Sequence, residues 1–131
     1  MDQPRWILDE VVLAVHRRQL AEHGGLDGVR DTGLLSSALA RPKNLFAYTN
    51  PKPELAALAA SYAYGVIRNH PFVDGNKRTG YVLARTFLKI NGADIDASDI
   101  DKYATFLGVA EGSISEDALA EWIRQHFAKP H

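Results

Sequence analysis

Apolar residues recur at helical spacing through most of this chain. From residue 7 to about 22, Ile7, Leu8, Val11, Val12 and Val15 share one side, with Asp9, Arg17 and Arg18 off it, which predicts a helix. Gly24, Gly25 and Gly28 end it in a turn. Asp31-Thr32 can cap a second, shorter helix carrying Leu34, Leu35, Ala38 and Leu39, and Pro42 is expected to stop it. Residues 41–53 contain Pro42, Asn44, Asn50, Pro51 and Pro53, so a loop or short hairpin is expected there. Leu45, Phe46 and Tyr48 at its tip are unusual for a solvated loop and favour tucking into the core. Pro53 suits the first turn of a third helix, whose apolar face is Leu55, Leu58, Ala59, Tyr62 and Val66. Its many alanines predict close helix–helix contact, and Pro71 disfavours helical geometry at His70. A fourth helix starts near Gly75-Asn76, runs through Val82, Leu83, Phe87 and Ile90, and stops at Asn91-Gly92. Ser98 or Asp99 caps a fifth with Ile100, Tyr103, Ala104 and Leu107. Ser115-Glu116-Asp117 opens a sixth with Leu119, Trp122, Ile123 and Phe127 inside. The pattern predicts an all-α fold, a compact bundle of about six helices with a short flap loop or hairpin, as one domain over residues 1–131.

Composition narrows the function classes. With 46% hydrophobic and 24% charged residues the chain is ordinary globular material and can build a core. It has no cysteine, which excludes disulfides and thiolate zinc sites and suits a reducing cytoplasm. A net charge of -1 gives no global basic face, so direct nucleic-acid binding is not expected. The N-terminus lacks a signal-peptide layout and the apolar runs are short, so no membrane association is expected.

Candidate chemistry concentrates between the third and fourth helices. His70, Asp74, Asn76, Lys77 and Arg78 fall within nine residues, a density that a plain connection does not require. Gly75 and Asn76 sit where a helix begins, and the free N–H groups of a first turn attract anions. Gly75 removes a side chain there, Lys77 supplies a point charge and Arg78 a planar fork. Asp74 is the kind of oxygen ligand that Mg²⁺ takes beside phosphates, and His70 can accept a proton near neutral pH. Each residue also has an ordinary alternative: a capping His70, an i,i+4 ion pair of Asp74 with Arg78, a solvated face at Lys77 and Arg78. Phe72 is expected to be a core anchor. A single Asp74 does not make a two-metal nuclease site.

The run His70-Pro71-Phe72-Val73-Asp74-Gly75-Asn76-Lys77-Arg78 resembles the signature H-x-F-x-[DE]-[AG]-N-[KG]-R of the Fic/Doc family. Seven specified positions match by chance on the order of 10⁻⁹ per start point. Residues 25–35, from Gly25-Leu26-Asp27-Gly28 to Leu34-Leu35, and Ser37-Ala38-Leu39-Ala40-Arg41-Pro42 resemble the death-on-curing (Doc) branch. The resemblance implies a helical bundle that binds a nucleotide at this loop and modifies a protein hydroxyl. It makes His70 the base, Asp74 the Mg²⁺ ligand, and Gly75, Asn76, Lys77 and Arg78 the phosphate cradle. It also makes the segment around Leu45, Phe46, Ala47 and Tyr48 the flap that holds the target segment.

Members that transfer AMP typically read G-N-G-R-x-x-R, whereas this chain has Lys77 and Tyr81 at the two variable positions. By resemblance to the lysine-bearing Doc branch, the terminal phosphate of ATP or another nucleoside triphosphate is transferred to a Ser or Thr hydroxyl. The implied target is a translation elongation factor (elongation factor Tu), and the implied setting a type II toxin–antitoxin system in the cytoplasm. The antitoxin would cover the active site, and no internal inhibitory helix of the S/T-x-x-x-E-[GN] kind is present. The alternatives are an AMP-transferring modifier, against which Lys77 and Tyr81 argue, and a catalytically idle binding module, against which the intact His70 and Asp74 argue.

Overall fold

A computed structural model describes residues 3–129. Six helices follow one another: α1 (Asp9–His23), α2 (Thr32–Tyr48), α3 (Leu55–Asn69), α4 (Asn76–Ile90), α5 (Asp99–Glu111) and α6 (Glu116–Gln125). Two short strands, β1 (Asp94–Ile95) and β2 (Phe127–Ala128), pair antiparallel with Asp94 opposite Ala128 and Ile95 opposite Phe127. The all-α class and the six-helix order agree with the sequence pattern.

Helix α3 is the hub. Ten of its residues are buried, six of them Ala, Ser or Gly, and it packs against α2, α4, α5 and α6. The small side chains let neighbouring backbones approach, and Gly65 shows the limit. A Cβ there would lie 3.3 Å from the Cα and carbonyl oxygen of Ala38 and 3.0 Å from Arg41 Cδ. Around α3 the core is one cluster, with Leu58, Tyr62, Val66, Leu83, Phe87, Leu119 and Ile123 essentially inaccessible. Fully burying a side chain of this size contributes roughly 1.5–3 kcal/mol. The Tyr62 hydroxyl accepts from the Ile7 N–H (3.2 Å) and ties the N-terminal segment to the hub. No described helix is long and apolar enough to cross a membrane.

Several expectations need correction. Pro42 does not stop α2 but lies buried inside it, and the helix runs to Tyr48. Pro42 cannot donate to the Ala38 carbonyl, a loss that ends many helices. Here that carbonyl is packed against Gly65, so burial of the whole turn against α3 outweighs the missing bond. Residues 41–48 are therefore neither loop nor hairpin, and the connection shrinks to residues 49–54. Leu45, Phe46, Ala47 and Tyr48 form the last turn of α2. Leu45 and Phe46 pack partly against the core, Ala47 is exposed, and Tyr48 is 86% exposed. Lys52 Nζ donates to the freed Phe46 carbonyl (2.7 Å) and lies over the Phe46 ring. Pro53 precedes α3 rather than opening it, since Glu54 is the N-cap.

Two helix faces also differ. On α1 the buried residues are Val12, His16 and Gln19, while Leu8 and Val11 are exposed. On α5 they are Thr105, Phe106, Gly108 and Val109, while Ile100 and Tyr103 face solvent. Phe127 leaves α6 for β2 and is 43% exposed.

Candidate active site

The loop between α3 and α4 is built on two glycine-like turns. His70 ends α3 in the left-handed region (φ 53°), its N–H donating to the Val66 carbonyl (3.1 Å). A non-glycine residue there costs about 1–2 kcal/mol, and the chain holds it from outside. Arg30 Nε donates to the His70 carbonyl (2.7 Å) and its Nη2 to the Asn69 carbonyl (3.0 Å). The backbone N–H groups of Arg30 and Asp31 both donate to the Pro71 carbonyl (2.7 and 3.1 Å). Val29 pairs with Phe72, and the Val73 N–H donates to the Gly28 carbonyl (3.0 Å). Asn69 Nδ2 donates to the Leu34 carbonyl. The irregular segment before α2 thus runs antiparallel to the candidate loop and clamps it residue by residue.

The second turn is Gly75 (φ 76°), the N-cap of α4. Among the described residues no side chain caps this helix, and the first-turn N–H groups of Asn76, Lys77 and Arg78 have no partner. The sequence assigns Gly75 the task of clearing space for a phosphate. In the structure its φ is the stronger requirement, and an added Cβ would lie 3.4 Å from Leu20 Cδ2 on α1.

These pieces surround one open cleft of about 420 Å³. His70, Asp74, Gly75, Asn76, Lys77 and Arg78 line it from the loop and α4, Gln19 and Leu20 from α1. Among the described residues the His70 imidazole has no hydrogen-bond partner and Arg78 no acid partner. The Asp74–Arg78 ion pair, the ordinary alternative, does not form. Lys77 Nζ lies 5.0 Å from the centre of the Tyr103 ring, a cation–π contact that extends it along α5. Leu45, Phe46, Ala47 and Tyr48 do not line this cleft.

The chain matches the model described as the Fic/DOC family over residues 6–88, a span that contains the clamp and the whole loop. It belongs to the Fic/DOC family. Toxin Doc of Mycolicibacterium smegmatis is 45% identical over 99 residues, covering 74% of this chain and 76% of that protein. Protein kinase doc of Escherichia phage P1 is 31% identical over 122 residues, covering 92% and 94% respectively.

Within this Fic/DOC loop the residues divide by what they touch. Asn76 is buried, and both ends of its side chain are spent on Phe72: Oδ1 accepts from the Phe72 N–H (2.9 Å) and Nδ2 donates to the Phe72 carbonyl (3.0 Å). These two bonds shape the loop, while Asn76 also lines the cleft at the first turn of α4. Each oxygen of Asp74 accepts one N–H, Oδ2 from Leu26 (3.2 Å) and Oδ1 from Gly75 (2.9 Å). A carboxylate oxygen so engaged keeps a lone pair for a cation. No cluster of three or more His, Cys, Asp or Glu that could hold a metal exists among the described residues. This donor set fits Mg²⁺, which is commonly held by one or two carboxylates together with phosphates.

Sequence reasoning missed His16. It is 2% exposed on α1, its ring stacks on Phe72 (centroids 3.8 Å apart, 9° between planes), and Nε2 lies 2.9 Å from the Asp74 carbonyl. A carbonyl only accepts, so Nε2 carries the proton. The available signal was the spacing of His16 and Gln19 at i+4 and i+7 from Val12, one helical stripe occupied by polar residues.

Proposed function

We propose that this chain is a Doc-type toxin that transfers the terminal phosphate of ATP or another nucleoside triphosphate to a Ser or Thr hydroxyl of a protein. The observation that carries the reading is the convergence of four features on one cleft. They are an uncapped α4 N-terminus, the cations Lys77 and Arg78, the lone carboxylate Asp74 and the unpartnered His70. The names of the two relatives, one a toxin and one a protein kinase, support the choice of reaction.

In the proposed step the target hydroxyl oxygen bonds to the terminal phosphorus. The bond from that phosphorus to its bridging oxygen breaks, and the nucleoside diphosphate leaves. The hydroxyl proton passes to the imidazole of His70, whose left-handed turn sets it at the cleft wall. The N–H groups of α4 with Lys77 and Arg78 stabilise charge on the phosphate oxygens of a loose transition state. Mg²⁺, held by Asp74 and the phosphates, would neutralise part of that charge. Asn76 and Gly75 keep the loop in shape, and the Arg30 clamp holds His70. The proposed target is a translation elongation factor such as elongation factor Tu, which places the activity in the cytoplasm. The proposed regulator is an antitoxin that covers the cleft. The α2 end turn, Leu45 to Tyr48, remains the proposed seat of the target segment, presented as helix with Tyr48 projecting.

The test is induction of the wild-type chain and of His70→Ala in a bacterial host, with growth measured and the elongation factor weighed by intact mass. Arrest with a phosphate-sized mass gain, both absent in His70→Ala, supports the reading. An adenylate-sized gain replaces it with AMP transfer. Identical behaviour of the two proteins with no mass change leaves an idle binding module.

A further inference from the structure

The apolar pattern of α5 puts Tyr103 inside the fold, yet the ring stands 62% exposed. It is not an isolated surface aromatic. With Tyr81 and Phe106 it walls a second cavity, of about 160 Å³, between α4 and α5. Phe106 is buried and meets Tyr81 edge-on (centroids 5.0 Å apart, 74° between planes), so these two rings form the bottom and Tyr103 the rim. Three cations complete the lining, Lys77, Arg78 and Lys102, and no acid takes part in it. Lys77 Nζ lies over the Tyr103 ring (5.0 Å) and Lys102 Nζ over the Tyr81 ring (5.9 Å).

Lys77 and Arg78 also line the cleft that holds His70 and Asp74, so the two cavities adjoin at the first turn of α4. The cleft suits phosphate oxygens, and the second cavity offers aromatic faces under a positive rim. A ligand that fills both is a polyanion at one end and a flat ring bearing acceptor atoms at the other. Aromatic walls stack such a ring, and the Lys102 ammonium, which can only donate, suits its acceptors. An aliphatic chain would leave that ammonium nothing to bond, and a cationic side chain would be repelled by all three charges. We propose that this cavity takes the base of the nucleotide, stacked on Tyr103 above Phe106 and Tyr81, while the phosphates lie in the His70 cleft. The assignment rests on the nucleotide reading of that cleft and adds what distinguishes a nucleotide from a bare polyphosphate.

Calorimetric titration of the full chain tests it, with ATP and inorganic tripolyphosphate as probes, both with Mg²⁺ and without target protein. Tyr103→Ala is expected to weaken ATP by about 10-fold, the loss of one base–aromatic stack, and to leave tripolyphosphate unchanged. Its melting temperature should stay near that of wild type, because most of the ring is already in solvent. Tyr103→Phe keeps the ring and should bind both probes like wild type. Unchanged ATP binding in Tyr103→Ala would rule the stack out. Equal weakening of both probes would do the same, since the ring would then act only through Lys77 on the phosphates. A Tyr103→Phe as weak as Tyr103→Ala would overturn stacking too, by assigning the effect to the hydroxyl. A wild-type chain that binds neither probe removes the nucleotide reading and the base site together, whereas a binding wild type matched by Tyr103→Ala removes the base site alone.

Discussion

The starts of α4 and α6 face the same electrostatic problem and solve it oppositely. At α6, Ser115 accepts from the Ala118 N–H (3.1 Å), and Glu116 and Asp117 put negative charge in the first turn. Helix α5 does the same with Ser98, Asp99 and Asp101. At α4, among the described residues, no side chain caps the helix and its first turn holds no acid; Asp74 lies just ahead, bonded to the Gly75 N–H, while Lys77 and Arg78 add positive charge to the positive end of the helix. The arrangement at α6 is complete by itself. That at α4 is unfavourable until an anion arrives. The difference marks the start of α4 as the one that the proposed nucleotide would complete.

The comparison can be broken or sharpened by substitution. The largest effect belongs to chemistry: His70→Ala should lower phosphate transfer by roughly 10²–10⁴-fold with the fold intact, measured by incorporation of terminal phosphate into the target. Asn76→Ala should destabilise by about 1–3 kcal/mol in urea unfolding, because it leaves buried polar groups of Phe72 unpaired. If it left stability untouched and only weakened nucleotide binding, Asn76 would be a ligand residue and not a scaffold. Ser115→Ala should cost about 1 kcal/mol and leave transfer unchanged. Arg78→Ala is the converse: unfolding should move by less than about 0.5 kcal/mol, while tripolyphosphate binding and its dependence on salt both diminish. A loss of stability in Arg78→Ala would show that α4 is not waiting for a ligand.

The smallest effect is a control remote from the cleft. Burial alone would push the Asp94 carboxyl up, but hydrogen bonds from Arg85 and the Ile95 N–H, with the charges of Arg85 and Lys89, hold it below its ordinary value. A carboxylate with a lowered folded value contributes stability that is present above its unfolded value and is lost as pH falls through the folded one. Asp94→Asn should therefore flatten the acid limb of stability against pH and leave neutral-pH nucleotide binding alone. An unchanged acid limb would remove this pair from the account.

What could be read from the chain follows how local each feature is. The loop was legible because its chemistry lies within nine consecutive residues, and the starts of α2, α5 and α6 because Asp31, Ser98 and Ser115 act three residues ahead. Helix α2 beyond Pro42 was not, because what rescues that turn is Gly65, 23 positions away on another helix. The inward face of α5 was misread since Ile100 and Tyr103 are as apolar as Phe106 and Val109, and only the positions of α3, α4 and α6 choose between them. His16 and Gln19 escaped because polar residues on a buried stripe look, locally, like a solvated edge. The two-residue strands are shorter than any pattern that could announce them.

The clamp between residues 26–31 and 69–74 sets an order of events during folding. Leu26 meets Asp74, Gly28 meets Val73, Val29 meets Phe72, and Arg30 meets Asn69, His70 and Pro71. All these contacts close across some forty residues of chain, so none can form until α2 and α3 have brought the two segments together. His70 is then expected to take its unfavourable turn late, once the rest of the bundle is in place. In native-state hydrogen exchange the amides of Arg30, Asp31 and Val73 should open together, at a lower free energy than those of α3. The chain would thus spend part of its time fully helical and yet unarmed.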